Sequence, residues 1–254
     1  MIRVEPIPIY SDNYVWCLHD NNSAWLVDPG EFAPVEGFLT RNSLKLKGII
    51  ITHCHWDHIT AVPDIAALYG APVYGPEHPS LDCVSVNEGD SIEILGIPFS
   101  VWHAPGHTLE HLIYYTNRTA TPMLLCGDTL FSVGCGRING GDVRQLFASI
   151  KRIANLPKDT QLYCTHEYTL ANIAFAKAVD NNNAALLERE REVKQLRKRD
   201  KPSLPTNLEQ ELLTNPFLRC GEPIIISQCE RHSKSRLGTE EEVFVTLRGW
   251  KDRF

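Results

Sequence analysis

Long apolar runs are missing from this 254-residue chain. Nowhere does it reach the roughly 18 to 20 consecutive apolar residues that cross a bilayer. Its start, MIRVEPIPIYSDNY, has prolines and acids where an export signal needs an apolar stretch. The expectation is a cytoplasmic protein with no membrane partner. A surplus of positive charge is missing too. With 25 Lys and Arg against 31 Asp and Glu, the net charge is -6, whereas phosphate backbones are held by clustered Lys and Arg, so no nucleic-acid partner is expected. Paired cysteines are also absent. The eight cysteines, at 17, 54, 83, 126, 135, 164, 220 and 229, contain no C-x-x-C. This excludes a zinc ribbon or a disulfide framework and leaves them as small buried hydrophobes. Internal repeats and low-complexity linkers are lacking as well, so any two parts of the chain are expected to pack together. At 43% hydrophobic and 22% charged residues, the composition is that of an ordinary folded protein.

What is present is unevenly placed. Residues 1 to 130 carry 15 acidic and 5 basic side chains and eight of the ten histidines; residues 131 to 254 carry 20 basic and 16 acidic. An acidic, His-rich first half points to cations there, and a basic second half to an anionic partner.

Hydrophobic periodicity supplies the elements. Tyr14 to His19 and Ala24 to Asp28 predict paired strands around Asn21-Asn22. The β-branched run Gly48 to Thr52, a helix over Ala61 to Tyr69 and a strand over Pro72 to Tyr74 make one β-α-β unit. Short strands follow at Ser91 to Leu95, Phe99 to His103, His111 to Thr116 and Met123 to Cys126. An amphipathic helix spans Asp142 to Ala154, and Gln161 to Thr165 returns to strand. From about Thr169 the texture is helical, with a charged helix at Ala184 to Arg199. The one later β-branched run is Ile224 to Ile226. Thr206 with Glu209, and Thr239 with Glu242, have capping-box spacing.

The densest chemistry is Thr52-His53-Cys54-His55-Trp56-Asp57-His58, at the end of the Gly48 to Thr52 strand. Residues two apart in extended chain point the same way, so His53 and His55 can meet one metal. Asp57 and His58, where the chain turns toward helix, can aim at a neighbouring point. Three imidazoles and a carboxylate suit zinc or another first-row metal. Next, His103, His107 and His111 are spaced as one helix face, but Pro105-Gly106 inside the run excludes a helix. The reading is a strand ending at His103, with His107 presented at a turn and His103 and His111 left to packing or supporting roles. Asp128 then follows the strand Met123 to Cys126, and His166 follows Gln161 to Thr165. Four strands thus each place a potential ligand at the same end, where open α/β sheets build their sites.

The pattern T-H-x-H-x-D-H, P-G-H-T, C-G-D-T-L-F and H-E-Y-T resembles the metallo-β-lactamase superfamily and, more narrowly, the glyoxalase II (hydroxyacylglutathione hydrolase) family. The similarity continues through Gly134-Cys135-Gly136-Arg137, His166-Glu167-Tyr168-Thr169, Asn215-Pro216-Phe217 and Leu247-Arg248-x-x-Lys251-Asp252-x-Phe254, and so covers essentially the whole chain. The resemblance implies an α+β fold, a four-layer αββα sandwich over residues 1–168 followed by a helical substrate-binding domain over 169–254. It implies two divalent metal ions, zinc in the first place and iron or manganese otherwise. His53, His55 and His107 would hold one, Asp57, His58 and His166 the other, with Asp128 bridging. The nucleophile would be water activated by the metals. The substrate would be S-D-lactoylglutathione, hydrolysed to D-lactate and glutathione in methylglyoxal detoxification, with Arg137, Tyr168, Arg248 and Lys251 holding the glutathione carboxylates of a monomeric enzyme. Ile59-Thr60-Ala61, Glu110 and Asn139 depart from the family pattern and bear on the acyl pocket. The competing reading is a persulfide dioxygenase of the same fold, with a single iron on a site of the His53, His55, His107 and Asp128 type.

Overall fold

A computed structural model describes residues 2–254. In chain order its elements are β1 (Arg3–Ile9), β2 (Asn13–His19), β3 (Ser23–Val27), α1 (Phe32–Arg41), β4 (Lys45–Ile50), α2 (Trp56–Ile59), α3 (Val62–Tyr69), β5 (Val73–Gly75), β6 (Val84–Ser85), β7 (Ser91–Ile94), β8 (Ile97–His103), β9 (Leu112–Thr116), β10 (Met123–Gly127), β11 (Leu130–Phe131), β12 (Gly134–Cys135), α4 (Val143–Ala154), β13 (Gln161–Cys164), α5 (Thr169–Val179), α6 (Ala184–Arg197), β14 (Thr206–Asn207), α7 (Leu208–Thr214), a 3-10 turn (Pro216–Leu218), α8 (Pro223–Ser233) and α9 (Glu240–Lys251). They form two compact units interleaved along the chain. The first takes the chain up to Ala104, Glu110–Gly127 and Tyr163–His166; the second takes Pro105–Leu109, Asp128–Leu162 and Glu167–Phe254.

In the first unit, one sheet runs β1-β2-β3-β4-β5-β6. Its first three strands are antiparallel, and β4 lies parallel between β3 and β5, the buried position its β-branched run predicts. The turn between β2 and β3 is tight enough to hold Asn21 at φ 78°, a left-handed conformation that Asn tolerates. Val35 and Leu39 of α1 and Ile65 of α3 bury against Ile7, Val15, Leu26 and Ile49, so these helices cover one face of the sheet. The other face meets a second sheet, in which β10, β9, β8 and β7 form an antiparallel meander and β13 lies beyond β10. Trp16 of β2 sets its ring edge-on to Tyr163, with centroids 5.0 Å apart, and donates Nε1–H to the Cys164 carbonyl at 3.0 Å. Tyr114 of β9 donates its hydroxyl to the Ile51 carbonyl at 2.6 Å.

In the second unit, Gln161 and Leu162 of β13 pair with β14. Helix α4 starts where predicted because the Asp142 side chain caps the amides of Arg144 and Gln145, and it buries Leu146, Ile150 and Ile153. Val133, Ile173, Ala176, Leu186 and Val193 form a separate small core. The β-branched run Ile224 to Ile226 lies in α8, a helix opened by Pro223 at its first position. Thr206 is not a helix cap: its hydroxyl is spent on the buried carboxylate of Glu211 at 2.8 Å, and Asn207 caps α7 through the Gln210 amide. The Thr239–Glu242 capping box is present at the start of α9.

Candidate metal centre

Beyond β4 the chain bends at Thr52 and reaches His55, which has extended φ -67° and ψ 149° at the N-cap position of α2. His53 and His55, two residues apart, come together there, with His53 Nε2 3.0 Å from His55 Nδ1. The turn into α2 swings Asp57 and His58 toward a second point, where they meet His166 at the end of β13. Asp57 Oδ2 lies 3.7 Å from His58 Nε2 and 3.6 Å from His166 Nε2, and the three donor atoms are all within 4.8 Å of one another. Two ligand atoms each about 2.1 Å from one ion are about 3.4 Å apart in tetrahedral geometry, so this spacing fits a shared cation.

Hydrogen bonds settle which nitrogen each of these imidazoles offers. Asp28, only 2% exposed, accepts from the Thr52 amide at 2.7 Å, from the Thr52 hydroxyl at 2.6 Å and from His58 Nδ1 at 3.0 Å. Because the Thr52 proton goes to Asp28, its oxygen accepts from His53 Nδ1 at 3.1 Å. His166 Nδ1 is held by Asp12 at 2.9 Å. In each case Nδ1 carries the proton and the lone pair is on Nε2, the nitrogen a metal would take. Asn13 steadies the carboxylate of Asp57 with a 2.9 Å bond to Oδ2.

Two glycines permit this geometry. A Cβ on Gly30 would stand 1.9 Å from the Asp57 carbonyl oxygen. Gly127 ends β10 at φ 48°, where a Cβ would strike the Thr52 hydroxyl at 2.5 Å. Asp28 and Asp12 were not singled out from sequence, where D-P-G and an isolated turn acid carry only a turn signal. His111 has the packing role expected of it, stacked on His53 with ring centroids 4.8 Å apart. His103 is exposed at the end of β8. Trp56, between His55 and Asp57, is 66% exposed and sets its ring edge-on to Tyr10 at 5.2 Å.

The second unit carries His107 and Asp128. His107 Nδ1 donates to the Arg137 carbonyl at 2.6 Å, so the lone pair is again on Nε2, which lies 3.5 Å from Asp128 Oδ2. The Asn139 amide braces the same turn by donating to the His107 carbonyl at 2.9 Å. The unit also holds a cavity of about 190 Å³ lined by Phe131, Cys135, Arg137, Tyr168, Arg248 and Lys251. All four substrate-binding candidates thus line one space. Arg248, 5% exposed, donates Nη1–H to the carbonyls of Cys135 and Gly136 and Nη2–H to Asp252. Its buried Nε has no partner. Burial, and next the charge of Arg248, lower the pKa of Lys251. Three cations around one cavity favour an anionic ligand. Glu110, one of the departures, accepts from the Cys54 amide at 3.3 Å and lines a different cavity of about 320 Å³ in the first unit, with Glu77, Glu88 and His103.

Comparison with known proteins gives the family of the chain. Residues 11–83 and 77–166 match the metallo-beta-lactamase superfamily, and residues 167–254 match the hydroxyacylglutathione hydrolase C-terminus. A hydroxyacylglutathione hydrolase of Pseudomonas aeruginosa (strain LESB58) is 44% identical over 259 residues, covering 100% of both chains. The chain belongs to the hydroxyacylglutathione hydrolase family. A family member from Hahella chejuensis is 40% identical over 257 residues, again covering 100% of both chains. Among solved structures, the BLEG-1 B3 metallo-beta-lactamase superimposes with a TM-score of 0.63 at 28% identity, over 86% of this chain and 99% of its own. The chain therefore has the metallo-β-lactamase fold with a helical C-terminal region, and its His and Asp clusters are of the kind that binds divalent metal.

Proposed function

We propose that this protein hydrolyses S-(2-hydroxyacyl)glutathione thioesters, S-D-lactoylglutathione above all, to the 2-hydroxy acid and glutathione, in methylglyoxal detoxification. The observation that carries the proposal is the uniform setting of the imidazoles of His53, His58, His107 and His166. Each is anchored through Nδ1, which puts the lone pair on Nε2, the nitrogen a metal would take. This donor set would suit two divalent ions, zinc first and iron or manganese otherwise: His53, His55 and His107 would hold one, Asp57, His58 and His166 the other, with Asp128 contributing to both. When bound, such ions lower the pKa of water toward neutrality and polarise a carbonyl.

The remaining work falls to the chain. Arg248 offers its buried Nε to a carboxylate of the tripeptide, Arg137 and Lys251 add charge, and Tyr168 adds a hydroxyl to the same cavity. The leaving group is a thiolate whose conjugate acid has a pKa of about 8.5, so departure needs no strong general acid. We assign metal binding to residues 1–168 and tripeptide binding mainly to 169–254, in a monomeric cytoplasmic enzyme. A single-iron dioxygenase on His53, His55, His107 and Asp128 would leave Asp57, His58 and His166 without a task, and their mutual spacing weighs against it.

The test is hydrolysis of S-D-lactoylglutathione with metal analysis on the same sample. Near two ions per chain with turnover is expected. One iron with oxygen consumption on glutathione persulfide would overturn the assignment. Asp128→Ala is expected to abolish turnover; both ions retained with near-normal kcat would count against its bridging role. Arg248→Ala and Lys251→Ala are expected to raise KM for glutathione thioesters about tenfold, the effect of losing roughly 1.4 kcal/mol of binding, and to leave small thioesters without the tripeptide unaffected. Equal losses on both substrate types would refute their role.

A further inference from the structure

The hairpin of β11 and β12 supplies Phe131 and Cys135 to the cationic cavity, and its turn is unusual. Leu130 pairs with Cys135 and Phe131 with Gly134, leaving Ser132 and Val133 as the turn. Val133 sits at φ 58°. A β-branched residue resists that left-handed conformation, so something else must fix it.

The fixing groups come from α7 and the residue after it. Glu211, fully buried, accepts from the Val133 amide at 2.7 Å through Oε2. The same oxygen accepts from Asn215 Nδ2 at 3.0 Å. Asn215 Nδ2 also donates to the carbonyls of Phe131 at 3.1 Å and Gly134 at 2.9 Å. Thr206 holds the other carboxylate oxygen at 2.8 Å. Burial raises the pKa of Glu211, whereas the bonds from Val133, Thr206 and Asn215 lower it. Beyond the turn, the carbonyls of Cys135 and Gly136 receive Arg248 Nη1 at 3.0 and 3.3 Å. A continuous set of bonds therefore links Glu211 to the guanidinium aimed at the cavity.

We propose that Glu211, with Asn215, is a positioning residue for glutathione thioester binding: it sets the β11–β12 turn and, through the Cys135 and Gly136 carbonyls, the orientation of Arg248. This rests on the assignment of the cavity to the tripeptide. Glu211 reaches no reacting atom, so its effect belongs in KM and not in kcat.

The test uses the full-length, metal-loaded enzyme. Glu211→Leu removes the acceptor for Val133 and Asn215 and is expected to raise KM for S-D-lactoylglutathione about tenfold. Its kcat, metal content and KM for a small thioester without the tripeptide should stay within about twofold. Glu211→Gln keeps an amide oxygen for both donors and should restore near-normal KM, a rescue that mere loss of folding would not show. Asn215→Ser retains a cap for the 3-10 turn, loses the amide donors and should behave as Glu211→Leu does; it stands in if the leucine variant does not fold. Arg248→Ala, measured alongside, separates two failures. If it leaves KM unchanged, the cavity assignment falls and the positioning role with it. If it raises KM while folded Glu211→Leu and Asn215→Ser do not, or if all variants lose kcat on both substrate types, the positioning role alone is refuted.

Discussion

Asp28 shows how much one buried side chain can settle. Its two oxygens take three donors, and in doing so orient His58 directly and His53 through Thr52. Asp28→Ala should weaken metal binding about 10- to 100-fold, the usual effect of losing the group behind a metal-ligating histidine. Titration against a competing chelator checks this; unchanged affinity would show that Thr52 and the backbone suffice. Gly30→Ala forces a Cβ into the Asp57 carbonyl and should lower both Tm and the content of the metal proposed for Asp57. The proposed ligands were legible in sequence because each stands in a dense motif or at the end of an apolar strand. Asp28 and Asp12 were not, since their roles depend on partners such as His166, which is 154 residues from Asp12. Periodicity is blind to pairs that distant.

At the scale of elements, helix ends decide more than helix centres. The box at Thr239 pairs its hydroxyl with the Glu242 amide at 3.2 Å, while the Glu242 carboxylate returns to the Thr239 amide at 3.1 Å. Thr239→Ala should cost about 1 kcal/mol, read as a lower urea midpoint at unchanged m-value. The same spacing at Thr206 gave a false signal, because the hydroxyl found a buried carboxylate instead of an amide. Ile224 to Ile226 also misleads if propensity is taken alone. Pro223 sets the first turn of α8 and Ile225 is buried, so packing overrides the β preference of the run. Short strands such as β11, β12 and β14 fall below any periodicity signal, since two residues show no alternation.

For the whole molecule, the uneven charge along the chain has measurable consequences. A lysine is cationic below its pKa, and that of Lys251 is lowered from the ordinary 10.5 by burial and by Arg248. KM for a glutathione thioester should therefore be lowest below that pKa and rise as pH passes through it, at lower pH than an ordinary lysine would dictate. Lys251→Arg should flatten the rise, because a guanidinium stays charged. A KM profile flat to pH 10 in the parent enzyme would show that Lys251 takes no part. Linear order hides the make-up of the second unit, which takes in Pro105–Leu109 as well as Asp128–Leu162.

The exposure of Trp56 has a further, spectroscopic consequence. Four of the five tryptophans lie elsewhere in the chain, whereas this indole sits in water between His55 and Asp57. Open-shell ions such as iron or manganese drain the excited state of a nearby indole, and closed-shell zinc does not. A loss of emission on metal loading that Trp56→Phe no longer shows would therefore distinguish these ions optically, with no label attached.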